Sequence, residues 1–318
     1  MRVFSSVRNS REYTDWVIRE LTKYPNVYIF CSSFFFPFLH THTSVFMANF
    51  VSSIPKRLEG KVAIVTGGAS GIGASTAALF HLHGARVVIA DIQDDLGRAL
   101  AHKLGNDAIY THCDVTDEDQ ITHLVDSAVA ELGHLDIMYS NAGVINGDDF
   151  QSILDADKEK IERILRVNLV GGLLVAKHAA RVMVPNRKGC ILFTASACTE
   201  VAGIAPYSYT ASKFGIVGLT KGLAVEMGLH GIRVNCVSPF GVLTGSAAHD
   251  GKTADMFEKM MGHVGNLKGK ILTAEDVAKA ALYLASDEAA YVSGVNFVVD
   301  GGYSVVNPTL SNVRNAPR

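Results

Sequence analysis

The sequence has no excess of charge of either sign: 29 Lys and Arg stand against 31 Asp and Glu, and no basic run occurs. That removes the electrostatic footprint of a nucleic-acid binder or of a protein held on an anionic membrane. Cysteine is scarce. Cys31, Cys113, Cys190, Cys198 and Cys236 show neither CxxC nor metal-ligand spacing, so no metal site is expected, and an odd, sparse set reads as reduced and cytoplasmic. Asn307-Pro308-Thr309 is disqualified as a glycosylation acceptor by its proline. Long apolar runs are missing too: residues 27–39 are apolar but too short to span a bilayer and contain Pro37. Residues 1–24 mix acidic with basic side chains, which argues against a transit peptide. His40 and His42 have no further ligand near them in sequence and read as loop. Residues 1–57 are therefore expected to be a flexible or non-native extension before a domain over 58–303, with a tail over 304–318.

What is present suits a filled core, with 48% hydrophobic and 19% charged residues. From Lys61 onward, short β-branched runs alternate with helix-length amphipathic stretches, the pattern of βαβ units. Strands are expected at 62–66, 86–91, 107–112, 135–140, 190–195, 232–237 and 295–299. Thr116 with Asp119, and Thr273 with Asp276, have the spacing of helix-start capping pairs. A single long helix is expected over 157–185. The fold class is α/β: one Rossmann-type, doubly wound domain with a seven-stranded parallel sheet and helices on both faces.

Thr66-Gly67-Gly68-Ala69-Ser70-Gly71-Ile72-Gly73 follows the first strand and opens a helix. Ordinary turns also use glycine, but a strand before and a helix after make this a pyrophosphate loop of a dinucleotide site, with Gly67, Ser70, Gly71, Ile72 and Gly73 its candidate contacts. Asp91 closes the second strand about 20 residues beyond, where a carboxylate can accept from both adenosine-ribose hydroxyls. The plainer alternative is that Asp91 caps the turn into Ile92-Gln93. The ribose reading selects NAD over NADP, because a 2′-phosphate would meet a like charge. Asp114-Val115 and Asn141-Ala142-Gly143 end the third and fourth strands, where an open parallel sheet holds its ligand.

Tyr209 and Lys213 lie one helical turn apart. An ammonium there stabilises a phenolate and lowers a pKa of about 10, giving a base for an alcohol proton. Tyr-x-x-x-Lys alone is weak evidence. Ser196, at the end of the fifth strand, strengthens it by offering a hydroxyl for the substrate oxygen. Asn168 falls inside a helix, where Asn is a poor former. It is either an exposed helix residue or part of a kink that holds a water against Lys213.

Together TGGASGIG, Asp114-Val115, NAG, Asn168, Ser196, YTASK and NCVSPFGVLT resemble the short-chain dehydrogenase/reductase family over residues 58–303. The wording of these motifs is most similar to its plant branch, which includes borneol, secoisolariciresinol and xanthoxin dehydrogenases and momilactone A synthase. The resemblance implies NAD, a secondary alcohol or ketone of a terpenoid or similar metabolite, and a homotetramer. It also implies that Pro239, Val242 and Thr244 hold the nicotinamide carboxamide. Phe240 between Pro239 and Gly241 departs from the wider family.

Within 245–270, Met256, Phe257, Met260, Met261 and Val264 recur at helical spacing between glycines. They form either a mobile lid over a bulky apolar substrate or a core helix with methionine fillers. The expected activity is NAD-dependent oxidation of a secondary alcohol, with Asn168, Ser196, Tyr209 and Lys213 as the catalytic set, and Tyr209 and Lys213 also binding the cofactor, Lys213 through its nicotinamide ribose. Two rivals are a 3-oxoacyl-carrier-protein ketoreductase, disfavoured by Asp91 and the neutral lid, and a non-catalytic NAD-binding scaffold, disfavoured by the complete set.

Overall fold

Runs such as Val62–Thr66 lack polar alternation, so only a sheet covered on both faces can bury them. The computed structural model, which describes residues 56–145, 152–244 and 251–306, places seven such runs in one sheet. They are β1 (Val62–Thr66), β2 (Arg86–Asp91), β3 (Ala108–His112), β4 (Ile137–Ser140), β5 (Gly189–Thr194), β6 (Ile232–Pro239) and β7 (Asn296–Val299). Their order is β3-β2-β1-β4-β5-β6-β7, and every neighbouring pair is parallel. The connecting helices are α1 (Gly71–Leu82), α2 (Asp94–Leu104), α3 (Glu118–Leu132), α4 (Lys158–Leu165), α5 (Gly172–Met183), α6 (Tyr207–Gly228), α7 (Gly251–Val264) and α8 (Ala274–Ala285). The doubly wound α/β class expected from sequence is the one observed.

Alternation along each strand divides the core in two. Val62 and Ile64 of β1 join a cluster with Ile121 and Leu124 of α3, Val175 and Ala179 of α5, and Ile216 of α6. Ala63 and Val65 face the other way, against Ala77 and Phe80 of α1 and Val277, Ala281 and Leu284 of α8. Each large aliphatic buried this way contributes about 1.5–3 kcal/mol.

The capping box at Thr273 and Asp276 forms as expected. The cap of α3 does not. Asp117, not Thr116, receives the backbone N–H groups of Asp119 and Gln120, and Gln120 Nε2 donates back to Asp117 at 3.0 Å. The long helix expected over 157–185 is also corrected. Between α4 and α5 the chain winds as a π segment, Arg166–Gly171, a turn that accommodates one extra residue and is often found at functional sites.

The order in which strands are added to the sheet reverses between the parallel neighbours β1 and β4, so the loops after these strands splay apart and leave a crevice at their carboxyl ends. Among the described residues, no helix is long and apolar enough to cross a membrane, and no group of three or more His, Cys, Asp or Glu could hold a metal ion. His40, His42 and most of both expected terminal extensions lie outside the described residues.

Candidate active site

The loop after β1 is shaped by close approach. Gly71 has φ +53°, and a Cβ there would stand 2.8 Å from Cβ of Thr244. A Cβ on Gly73, inside the first turn of α1, would stand 1.9 Å from the carbonyl oxygen of Gly67. Ser70, the N-cap of α1, makes no side-chain bond to the helix start, so the positive end of the helix faces the crevice. The crevice encloses about 800 Å³. Gly67, Ser70, Gly71 and Ile72 line one end, Asp91, Asp114 and Val115 the next, and Asn141, Ala142, Gly143 and Thr244 the centre. A Cβ at Gly71 would collide with Thr244 across the crevice, and the Asp91 carboxylate stands on the same wall as the glycine loop, so the residues present fit a dinucleotide.

Asp91 is buried, and the turn-cap reading of its carboxylate is the one the hydrogen bonds display. Oδ1 accepts from the backbone N–H of Gln93 at 3.0 Å, the turn cap. Oδ2 accepts from the N–H of Ala69 in the glycine loop at 2.9 Å, which fixes the carboxylate beside the phosphate cradle. Asn141 lines the crevice but its amide is committed to the protein. Nδ2 donates to the carbonyls of Thr66 and Gly67 at 3.1 and 3.2 Å, and Oδ1 accepts from Thr194 at 2.9 Å.

Asn168 is buried at 3% exposure, which overturns the exposed-helix alternative. Its side chain bonds both backbone groups of Val144, at 2.8 and 2.9 Å, and donates to Ser212 Oγ at 3.1 Å. Ser212 in turn donates to the carbonyl of Tyr209 at 2.6 Å. The π segment is thereby tied to α6.

Ser196 caps a 3-10 turn at the end of β5, its Oγ accepting from the backbone N–H of Cys198 at 3.3 Å, and its hydroxyl is near enough to the Tyr209 phenol to favour the phenolate. Lys213 Nζ donates to the carbonyl of Thr194 at 2.8 Å. Burial dominates the electrostatics here. It pushes the Tyr209 phenol up to about 12, with Ser196 pulling the other way, and pushes the Lys213 ammonium down to about 8. The sequence expectation of a lowered tyrosine pKa therefore does not describe the protein without ligand, because desolvation of the phenolate outweighs the one lowering influence, which comes from Ser196.

Pro239 ends β6 in register with Val299, Val242 packs on the core face that carries α8, and Thr244 reaches the crevice. Phe240 stacks on Tyr303, ring centroids 4.3 Å apart. The five apolar residues of α7 do not share one face. Phe257 and Met261 turn inward, and a Cβ on Gly241 would stand 2.8 Å from Met261 Sδ and 3.4 Å from Phe257 Cζ. Met256, Met260 and Val264 are exposed.

Sequence reasoning missed Thr194, Ser212, Arg163 and Arg166. The first two act through a backbone carbonyl or within a helix, which no spacing reveals. The arginines sit on the outer face of α4 and the following turn, yet line the same crevice.

A parallel sheet with a glycine loop at its switch point and a Ser-Tyr-Lys group beside it defines a dinucleotide-binding oxidoreductase. The family described as "Enoyl-(Acyl carrier protein) reductase" matches residues 67–304. (+)-Borneol dehydrogenase 1 of Salvia officinalis is 71% identical over 260 residues, covering 82% of this chain and 100% of that protein. A borneol dehydrogenase of Lavandula x intermedia, named as mitochondrial, is 54% identical over 256 residues, covering 80% and 95%. A crystal structure of a short-chain type dehydrogenase/reductase from Mycobacterium marinum superimposes with TM-score 0.71 at 35% identity, covering 78% and 97%. The chain belongs to the short-chain dehydrogenase/reductase family and is similar to its plant members.

Proposed function

We propose that this protein is an NAD-dependent alcohol dehydrogenase that interconverts a secondary alcohol and a ketone on a bulky, apolar terpenoid, with borneol the first substrate to test. The observation that carries this reading is the junction of Ser196, Tyr209 and Lys213 behind Gly143, where a Cβ would stand 3.4 Å from Lys213 Nζ, with Gly143 and the Asp91 carboxylate lining one crevice. Similarity to two proteins named borneol dehydrogenases supports the substrate class.

When bound, the nicotinamide cofactor supplies the hydride acceptor for oxidation and the donor for reduction. Gly67, Ser70, Gly71 and Ile72 hold its pyrophosphate, Asp91 its ribose, and Asp114, Val115, Asn141, Ala142 and Gly143 line its middle. Pro239, Val242 and Thr244 take the carboxamide. Ser196 holds the substrate oxygen, Tyr209 Oη takes or returns the hydroxyl proton, and Lys213 Nζ keeps a positive charge behind the phenol. The Asn168 side chain is already bonded to Val144 and Ser212, so its part in a proton path comes through the backbone of the π segment.

Phe214 and Val225 of α6, Leu229 at its C-cap and Leu173 of α5 are exposed apolar residues, which supports assembly as a homotetramer; light scattering on the purified protein tests it. The described cysteines are buried and unpaired, which fits a reducing compartment; the cytoplasm is our reading, and the mitochondrial name of the Lavandula relative is the alternative. Fluorescent tagging of the full chain in plant cells separates the two.

The decisive assay is NADH absorbance with a panel of terpenoid secondary alcohols, with an acyl-thioester arm for the carrier-protein reading that the family description raises. Turnover confined to the thioester arm, or absent throughout, sinks the proposal.

A further inference from the structure

The 3-10 turn after β5 that carries Ser196 is only three residues long, Ala197–Thr199, too short to fix a side chain without support. Its support comes from the opposite end of the sequence. Asn296, the first residue of β7, stands in register with Cys236 of β6. Its Oδ1 accepts from Ser238 Oγ at 2.6 Å and from Cys236 Sγ at 3.3 Å. Its Nδ2 donates to Thr199 Oγ1 at 3.2 Å and to Glu200 Oε1 at 2.7 Å. The opposite amide orientation would set a carbonyl oxygen against the Glu200 carboxylate, so the donor side faces the turn. Thr199, itself buried, then donates through Oγ1 to the carbonyl of Ser196 at 2.8 Å, and its N–H reaches the same oxygen at 3.0 Å.

We propose that Thr199 and Asn296 are positioning residues for Ser196, holding the turn after β5 so that the Ser196 hydroxyl stays against Tyr209. The chain of bonds runs from Ser238 in the buried interior of β6 through Asn296 and Thr199 to the Ser196 backbone, with the Thr199 hydroxyl accepting from Asn296 and donating to the Ser196 carbonyl. Fastening β7 to β6 does not require it. Asn235 already does that, donating to the carbonyl of Val292 at 2.7 Å and accepting from Val295 N–H at 3.0 Å. The bonds from Asn296 to Thr199 and Glu200 add nothing to that pairing and lead only to the turn.

The inference rests on Ser196 and Tyr209 being the catalytic pair, and the test separates the two. Thr199→Val keeps the shape and removes the hydroxyl; Thr199→Ser keeps the hydroxyl. With the full-length protein, Thr199→Val lowers kcat for alcohol oxidation roughly tenfold, the scale of a slight misplacement of a reacting group. NADH affinity, read by protein fluorescence, stays unchanged. The rise of kcat with pH moves to higher pH, because a displaced Ser196 no longer favours the phenolate, and Thr199→Ser restores both. Asn296→Ala gives the same signature, and the double variant is no worse than the poorer single one, as members of one network should be. Wild-type kcat in Thr199→Val while Ser196→Ala is inactive overturns the inference alone. So does a parallel loss of kcat, NADH affinity and thermal stability with an unmoved pH profile. Wild-type turnover in Ser196→Ala overturns the catalytic pair itself.

Discussion

Lys213 Nζ lies 5.4 Å from the centroid of the Tyr209 ring, one turn along the same helix, and it is the carbonyl of Thr194 that receives its hydrogen bond. The ammonium therefore sits over the phenol ring without a hydrogen bond to it in the ligand-free protein. With the phenol near 12, Tyr209 is protonated at neutral pH and ready to donate in ketone reduction, whereas alcohol oxidation needs it deprotonated. Oxidation is expected to climb steadily between pH 7 and 10 while reduction does not. Tyr209→Phe is expected to bind NAD normally and to lose at least about two orders of magnitude in turnover, typical of a lost acid–base group. Near-normal turnover in that variant removes Tyr209 from the mechanism.

Lys213 also carries a stability cost. Burial holds its pKa at about 8 against an ordinary value of 10.5. A base whose folded pKa lies below its unfolded one destabilises the fold wherever the unfolded chain is protonated. The penalty is complete below about pH 8 and vanishes as pH rises past 10.5. Its ceiling is about 3 kcal/mol, reduced by about 1 kcal/mol because the Thr194 carbonyl loses its donor on substitution. Lys213→Met should therefore melt at a higher temperature than wild type at pH 7, inactive but more stable, with the gap closing toward pH 10. A gap that widens with pH contradicts the burial argument.

The strands were legible because a doubly covered sheet demands uninterrupted apolar runs, and the crevice because glycines and strand-end polar residues mark it. Local chemistry was harder to place. Thr116/Asp119 and Asp117/Gln120 share the same spacing, and spacing alone does not show that the carboxylate of Asp117 is the better acceptor for two N–H groups. The π segment left no trace, since Ile164, Asn168 and Val175 read equally well on one continuous helix. Asp91 was posed as ribose ligand or turn cap, although a carboxylate has two oxygens and the protein uses one for the turn. Arg163 and Arg166 were invisible because they come to the crevice from a helix far along the chain.

In α7, Phe257 and Met261 lie against Gly241, while Met256 is 70% exposed and Met260 51%. Phe257→Ala and Met261→Ala should raise the Michaelis constant for bulky alcohols and leave NAD affinity alone; Met256→Ala and Met260→Ala should alter neither. Equal effects from both pairs, or unfolding by the inward pair, favour a purely structural helix.

Leu58 is fully buried, and Arg57 donates to Glu288 through Nε at 2.7 Å and Nη2 at 2.6 Å, so the catalytic unit is anchored from these residues onward. A protein started at Met47 keeps all of them. It is expected to match the full chain in melting temperature, assembly and turnover. An insoluble or inactive truncation beside active full-length protein assigns residues 1–46 a structural role.

Cofactor choice depends on Asp91, whose carboxylate is pinned by Ala69 and Gln93 at the ribose end of the crevice. A 2′-phosphate there would face it with like charge. At an effective dielectric of about 20, one such pair about 4 Å apart costs roughly 4 kcal/mol, a ceiling before water and side-chain movement relieve it. Tenfold discrimination needs only about 1.4 kcal/mol. No cation stands at 69, 70, 92 or 93, but Arg163 and Arg166 line the crevice, beside Glu159 and Glu162, and are the two cations among its described lining residues. A preference for NAD of about tenfold or more is therefore expected in the ratio of kcat/KM values at fixed alcohol and ionic strength. Asp91→Ser should narrow the ratio by weakening NAD and relieving NADP together. Removing Arg163 and Arg166 from that variant distinguishes the two charges: if the arginines receive the phosphate, the ratio widens again, and if Asp91 acts alone it stays where Asp91→Ser left it. A wild-type ratio at or below one would mean that the pinned carboxylate does not meet the ribose, and the NAD assignment falls with it.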